Sequence, residues 1–238
     1  MLATFFHGPN VFFAAVFHET LVKLAKRSML PHTDCMRLDL TGTQLRLAKK
    51  QDWRTLADIT AEAFANDPVN NYVFGKQSSI RSMYRVMARE MYVPSGLCHI
   101  HAAGGATMWM PPGVEAAPSQ FGLVKFALGQ LRHGTFGAIK RGLAVSELMQ
   151  KWHPKDPHYY LFAIGTTQSA RGQGVGKALL RPVLEACDAA KMPVYLENSN
   201  PDNTGFYTAH GFERMGLFNV GDDDSPIMEP MWREPKEI

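Results

Sequence analysis

Gln44 to Ala48 alternates polar and apolar residues, the period-two pattern of a strand with one covered face. The period then changes. Trp53, Leu56, Ile59, Ala63 and Phe64 recur at helical spacing, with Asp52 placed to cap the first turn. Asn66-Asp67-Pro68 breaks that helix. Ile80, Tyr84, Met87 and Met91 predict a second one over about 78–92. Leu97 to His101 and Ala106 to Met110 read as strands joined by the hairpin signal Ala102-Ala103-Gly104-Gly105. Residues 119–152 are helical by spacing, with Phe121, Val124, Leu128 and Leu131 in one stretch and Ile139, Leu143 and Leu148 in another. Beyond the rigid His153-Pro154-Lys155-Asp156-Pro157, Tyr159 to Ile164 is an unbroken apolar and aromatic run. That pattern fits a central strand covered on both faces. A long helix over about 174–190, a strand at Val194–Glu197, a short helix over about 202–209 and strands over 212–218 and 227–232 complete the order. The chain reads as a mixed α/β domain over 37–238, with no internal repeat and no linker cutting it.

Residues 1–36 read as an N-terminal extension. The apolar run Val11 to Phe17 is shorter than the roughly 20 residues that span a bilayer. Its basic residues follow the run, the reverse of a secretory signal. Phe13, Val16, Phe17, Leu21, Leu24 and Ala25 could share one face of an amphipathic helix, suited to a membrane surface or a dimer contact. A dispensable extension ahead of a domain beginning at Met36 is the reading adopted.

Composition narrows the function. In 238 residues, 45% are hydrophobic and 20% charged, which excludes a disordered chain. A net charge of +3 is too weak to argue for nucleic acid. Cys35, Cys98 and Cys187 are widely spaced, with neither a disulfide framework nor a metal knuckle. A reducing, cytoplasmic setting follows, with no metal cofactor.

The strongest chemical signal is Gln168-Ser169-Ala170-Arg171-Gly172-Gln173-Gly174-Val175-Gly176-Lys177, set between a buried strand and a helix. Glycines there let the backbone approach a ligand. The first helical turn offers unpaired N–H groups and the positive end of the dipole, an anion site suited to phosphate. A P-loop would need a hydroxyl where Ala178 stands and a glycine where Arg171 stands. A dinucleotide fingerprint would need its third glycine one residue later than Gly176.

Arg171-x-x-Gly174-x-Gly176 resembles the Q/R-x-x-G-x-G/A signature of the GNAT superfamily of N-acetyltransferases. A second hallmark follows in order: a strand ending in Glu197-Asn198, then Asn203, Phe206-Tyr207 and Gly211-Phe212. From His153 through Glu213 the chain is more closely similar to the puromycin N-acetyltransferase branch, through Pro182 inside the helix, Leu196-Glu197 and Pro201-x-Asn203. The resemblance implies a GNAT fold, a mixed twisted central sheet of about six or seven strands flanked by helices, with a splay between two parallel strands. It implies acetyl-CoA as cosubstrate. The backbone of Ala163, Ile164 and Gly165 would hold the pantetheine arm and thioester, and the amides across Arg171, Gly172, Gln173, Gly174, Val175, Gly176 and Lys177 the pyrophosphate. Tyr207 matches the general acid that protonates the departing thiolate. Glu197 fits either the base that takes the amine proton or a structural carboxylate, and Asn203 either a cofactor contact or a helix cap.

Trp152, His153, Tyr159 and Tyr160 are candidates to line an aromatic acceptor pocket, with core packing the commoner fate of large aromatics. His99 and His101 read as surface or satisfied core histidines, and Cys187 as buried and inert. Asp222-Asp223-Asp224 reads as a solvated loop. The implied acceptor is a small-molecule amine, on a monomer or homodimer without a transmembrane segment. Acetylation of a protein or peptide, or a non-catalytic CoA-binding module, are the competing readings.

Overall fold

Antiparallel pairing joins β1 (Leu45–Leu47), β2 (Leu97–His101), β3 (Gly105–Met110) and β4 (Tyr159–Thr166) in order. Next comes the parallel pair of the sheet, β4 with β5 (Val194–Asn198), and β5 pairs antiparallel with β8 (Ile227–Arg233). These elements are seen in a computed structural model that describes residues 38–237 except 115, 134 and 136. The expectations for residues 1–36 lie outside the described residues. Two short strands, β6 (Glu213–Arg214) and β7 (Phe218–Asn219), both pair with β8. The sheet is the mixed α/β one expected, its eight strands set beside an expectation of about six or seven. The extra one arises because the single strand expected over 212–218 is split. Its middle residue, Gly216, is pressed against the Trp152 ring, where a Cβ would come within 2.5 Å of the indole.

Helices cover both faces. On one lie α1 (Trp53–Ala63), α2 (Pro68–Phe74) and α3 (Gln77–Met87). The last of these winds on through a π-helical turn at Ala88–Tyr92 and a final turn at Val93–Ser95. Leu56, Ala61, Val73, Ile80 and Tyr84 bury against Ile100, Met108 and Ala163 to make this core. On the other face α6 (Val175–Ala189) packs Leu180, Val183 and Cys187 over Trp109, Leu161 and Leu196. Burial pushes the Cys187 thiol up to about 12, so it behaves as a small hydrophobe. Between β3 and β4 the chain inserts α4 (Gln120–Arg132) and α5 (Ala138–Trp152), and a short helix α7 (Thr204–Ala209) follows β5. No helix among the described residues is long and apolar enough to cross a membrane.

Two local departures from the sequence pattern have one cause, a side chain bonding in an unforeseen direction. Asp52 does not cap α1; its carboxylate turns back to the Lys49 amide (2.7 Å) and the Arg46 guanidinium (2.6 Å). Asn66-Asp67-Pro68 stops α1 as expected but also starts α2. Asp67 Oδ1 accepts the Asn70 amide at 2.8 Å, and Pro68 takes the first helical position, where its missing N–H costs nothing.

Candidate active site

The parallel strands β4 and β5 stay together for three rungs only, Tyr159 with Val194, Tyr160 with Tyr195 and Leu161 with Leu196. Beyond Leu161, β4 pairs with β3 alone, while Glu197 and Asn198 continue β5 against Pro230 and Glu229 of β8. The strands part at a bulge. Met108 pairs with Ala163 and Trp109 with Leu161, so Phe162 is the extra residue. The bulge also breaks the face alternation: Leu161 and Ile164 pack on the α6 side, whereas Phe162 and Ala163 join the α1–α3 core. Gly165 lies so near α1 that a Cβ would sit 2.5 Å from Ala63 Cβ. Thus Ala163, Ile164 and Gly165 line β4 where it has left its parallel partner.

The glycine loop closes the same end of the sheet. Gln168–Ala170 forms a 3₁₀ turn, and α6 starts at Val175 with Gly174 as a cap that has no side-chain hydrogen bond. Gly172 and Gly174 have φ of +74° and +75°, a region glycine enters without the Cβ penalty, and a Cβ on either would meet nothing within 4 Å. Gly176 differs: its hydrogen faces the Phe206 ring, so it brings α6 close to α7. Arg171, Gln173 and Lys177 are exposed and Val175 is buried. Among the described residues no protein acceptor takes the amides of Gly172 to Lys177, while Ala178 bonds back to Gly174. Open, unpaired amides at a helix start suit a diphosphate. This fits a CoA ligand.

Tyr207 of α7 is buried between Phe206 and Phe212, ring centroids 5.4 and 5.9 Å away. Burial, with the Asp67 carboxylate as a lesser cause, pushes its phenol above the ordinary value. Asn203 is exposed and makes no side-chain cap; Asn200 accepts the Asp202 amide at 3.1 Å in that turn. The neighbouring Asn198 binds Glu229 at 2.9 Å, and Thr204 binds the same carboxylate at 2.6 Å, which holds the turn after β5 in place.

Glu197 points to the other side of β5. Its side chain is 3% exposed, and Oε1 is buried without a hydrogen-bond partner. Tyr160 and Tyr195 stack beside it, and the Tyr195 hydroxyl is also buried and unpaired. Burial first, and the Glu197 charge second, push the phenols of Tyr92, Tyr160 and Tyr195 up. His153 is 3.7 Å from Oε1. An unpaired acceptor beside an unpaired donor is a place for a polar group from outside the chain.

Of the four aromatics expected around an acceptor, the structure brings His153 and Tyr160 to Glu197. Trp152 instead stacks on Phe218, and Tyr159 belongs to the α6-side core. His99 is a core residue with Nδ1 on Thr107 Oγ1 and burial lowering it to about 4. Asp222 to Asp224 are exposed. Sequence reasoning missed Asp67, Tyr92, Tyr195, His158 and Ser199. Tyr195 shares β5 parity with Glu197 and was findable; the others reach the site through tertiary contacts. Among the described residues no group of three or more His, Cys, Asp or Glu side chains could hold a metal ion.

A model of the Acetyltransferase (GNAT) family matches residues 128–212, which include β4, the glycine loop, α6, β5 and α7. Over that stretch the chain is similar to GNAT acetyltransferases. An uncharacterized N-acetyltransferase of Schizosaccharomyces pombe is 22% identical over 206 residues, 78% of this chain and 81% of its own length. Among solved structures, the GNAT fold is shared with a protein described as histone acetyltransferase HPA2 and related acetyltransferase from Corynebacterium glutamicum. It has a TM-score of 0.57 and 24% identity, over 82% of this chain and 97% of that one. Arylalkylamine N-acetyltransferase 2 from Aedes aegypti has a TM-score of 0.50 and 12% identity, over 82% and 100%. At those identities the likeness is one of fold.

Proposed function

We propose that this protein moves an acetyl group from acetyl-CoA to a primary amine of a small molecule by direct attack. The observation that carries the reading is the parting of β4 from β5 after Leu161, beside a helix start whose amides have no protein partner. Acetyl-CoA supplies the activated acyl group as a thioester. The amides of Gly172 to Lys177 would bind its diphosphate, with Arg171 and Lys177 adding positive charge and Asn203 free to contact it. The main chain of Ala163, Ile164 and Gly165 would hold the pantetheine arm and polarise the carbonyl, the kind of preorganised donation that lowers an acyl-transfer barrier. Tyr207 would protonate the departing sulfur; its raised pKa keeps the proton on the phenol at neutral pH. Glu197 would take the proton of the attacking nitrogen.

The inserted helices favour a small acceptor. Arg141 of α5 donates to the Val73 carbonyl of α2 at 2.8 Å, and Ser79 of α3 is joined to Gln130 of α4 and to Thr135. These bonds hold α4 and α5 against α2 and α3 as a covering layer. We place the protein in the puromycin N-acetyltransferase-like branch on the motifs from His153 to Glu213. Two free buried thiols, Cys98 and Cys187, suit a reducing cytoplasm. A protein acceptor is the second reading, favoured by the exposed apolar row Phe121, Val124, Leu128 and Leu131 on α4. Thiol release from acetyl-CoA, followed with puromycin, simple alkyl and aryl amines and a lysine-bearing peptide, tests both. Turnover with a free amine is expected. Turnover confined to the peptide would overturn the small-molecule reading, and no turnover with any amine would overturn both.

A further inference from the structure

Glu197 is closed off from water, which poses a difficulty for a base: a proton delivered to it must have somewhere to go. The connector between α5 and β4 supplies a route. His153 Nδ1 lies 3.7 Å from Glu197 Oε1. On its far side His153 Nε2 lies 3.2 Å from His158 Nε2, and His158 Nδ1 lies 2.7 Å from the Asp156 carbonyl oxygen. The bonding partners dictate where the protons sit. A carbonyl only accepts, so His158 Nδ1 carries a hydrogen. Burial lowers the His158 pKa, so that ring stays neutral and its Nε2 is bare. The short Nε2–Nε2 contact then requires the hydrogen on His153 Nε2. In the neutral ring this leaves His153 Nδ1 as a lone pair facing a carboxylate oxygen. Two acceptors face each other with room for one proton between them.

We infer that His153 carries the amine's proton from Glu197 to solvent and that His158, anchored on the Asp156 carbonyl, is a positioning residue that sets the His153 tautomer. The inference rests on the acetyl-transfer reading above. The steps balance in protons. The attacking nitrogen loses one to a Glu197 carboxylate oxygen. Glu197 passes it to His153 Nδ1, making an imidazolium. That ring, 38% exposed, releases one proton to water and returns to the Nε2–H form as the ring turns or exchanges. The 3.7 Å gap exceeds a hydrogen bond and lies within ion-pair reach; such catalytic contacts tighten when substrate binds. The groups facing His153 are Tyr160 from β4 (5.1 Å), Tyr195 from β5 (5.0 Å), Glu197 from β5 and His158 from the connector. His158 in turn faces Trp232 of β8 and the Asp156 carbonyl. The three phenols near Glu197 have raised pKa values, so they keep their own protons near neutral pH and do not carry this one.

Nitrogen-15 imidazole NMR of the full chain tests this without needing turnover. In the native protein His153 should rest as the Nε2–H tautomer. Glu197→Gln should move the His153 Nδ1 nitrogen resonance, because the lone pair then faces an amide in place of a carboxylate. His158→Gln should shift His153 toward the Nδ1–H tautomer. A resting Nδ1–H form, or a His153 Nδ1 resonance indifferent to Glu197→Gln, would overturn the inference. Kinetics supply a second arm. His153→Ala should lower kcat on the order of 100-fold with unchanged acetyl-CoA affinity, and added imidazole should restore part of the loss. A native chain that acetylates amines alongside a His153→Ala variant with full kcat, or one that imidazole never rescues, sinks the relay alone. A native chain that shows the NMR coupling and transfers no acetyl group sinks the acetyl-transfer reading instead.

Discussion

Ser199, just past the end of β5, donates a 2.5 Å hydrogen bond to Asp67 Oδ2, from the turn between α1 and α2. The two residues are 132 positions apart, and their bond ties the turn after β5 to the turn between α1 and α2. Asp67 Oδ1 meanwhile takes both the amide and the side-chain nitrogen of Asn70 at 2.8 Å. A carboxylate only 5% exposed is therefore fully engaged, even though burial pushes its pKa up.

Removing either partner should loosen this tie. Ser199→Ala should cost about 1.5–3 kcal/mol, the range for a hydrogen bond to a charged group. Asp67→Ala should cost more, because the α2 cap goes with it and adds about 1 kcal/mol. In urea unfolding the double variant should be less destabilised than the sum of the singles. Strict additivity would show that the bond does not form in solution.

Gly174 is required for its φ of +75° and not for space, since a Cβ there meets nothing. Gly174→Val should leave the fold standing but tilt the amides that open α6. Acetyl-CoA binding by calorimetry should weaken by at least 10-fold. Gly205, which has open space and no unusual φ, is the control: Gly205→Ala should bind normally. Equal affinity in all three proteins would reduce the loop to a turn.

Tyr207→Phe keeps the ring packed against Phe206 and Phe212 while deleting the hydroxyl. It should lower kcat on the order of 100-fold, with little change in acetyl-CoA affinity. Because burial raises the phenol's pKa, the native rate should not fall on the alkaline side at the ordinary tyrosine value of about 10 on account of this group. A variant with native kcat across that range would remove Tyr207 from proton transfer.

Asp188 gives the protein an acid-side weakness. Arg233, almost fully buried, grips it through two bonds of 2.7 Å, and the Lys236 amide adds one of 2.8 Å. Burial works to raise the Asp188 pKa; the Arg233 hydrogen bond and the Lys236 amide outweigh it, and the net shift is downward. A depressed folded-state pKa means the unfolded chain binds the proton first. The stabilisation is present above about pH 4 and disappears as pH falls through the depressed folded value. Asp188→Asn should remove that acid dependence. It should also cost about 3 to 5 kcal/mol at neutral pH by stranding the guanidinium. A melting-temperature profile below pH 4 that is identical in variant and native protein would refute this.

The line of elements was readable from residue patterns because each signal is local. Helical spacing placed α1, α3, α4, α5 and α6 within a few residues. The arginine-glycine run marked a candidate anion site through its spacing and its place between a buried strand and a helix. Tyr207 and Glu197 were candidates through the order of short motifs around them. Position along the chain could not say that Phe162 bulges, because a bulge depends on register with β3, and that register is set by the whole sheet. Nor could it say that α4 leaves Phe121, Val124, Leu128 and Leu131 facing outward, since period reveals a face but not what lies against it. The groups around Glu197 come from four separate segments. A carboxylate acquires its chemistry from the groups that exclude water around it, and those neighbours meet only when the backbone has folded.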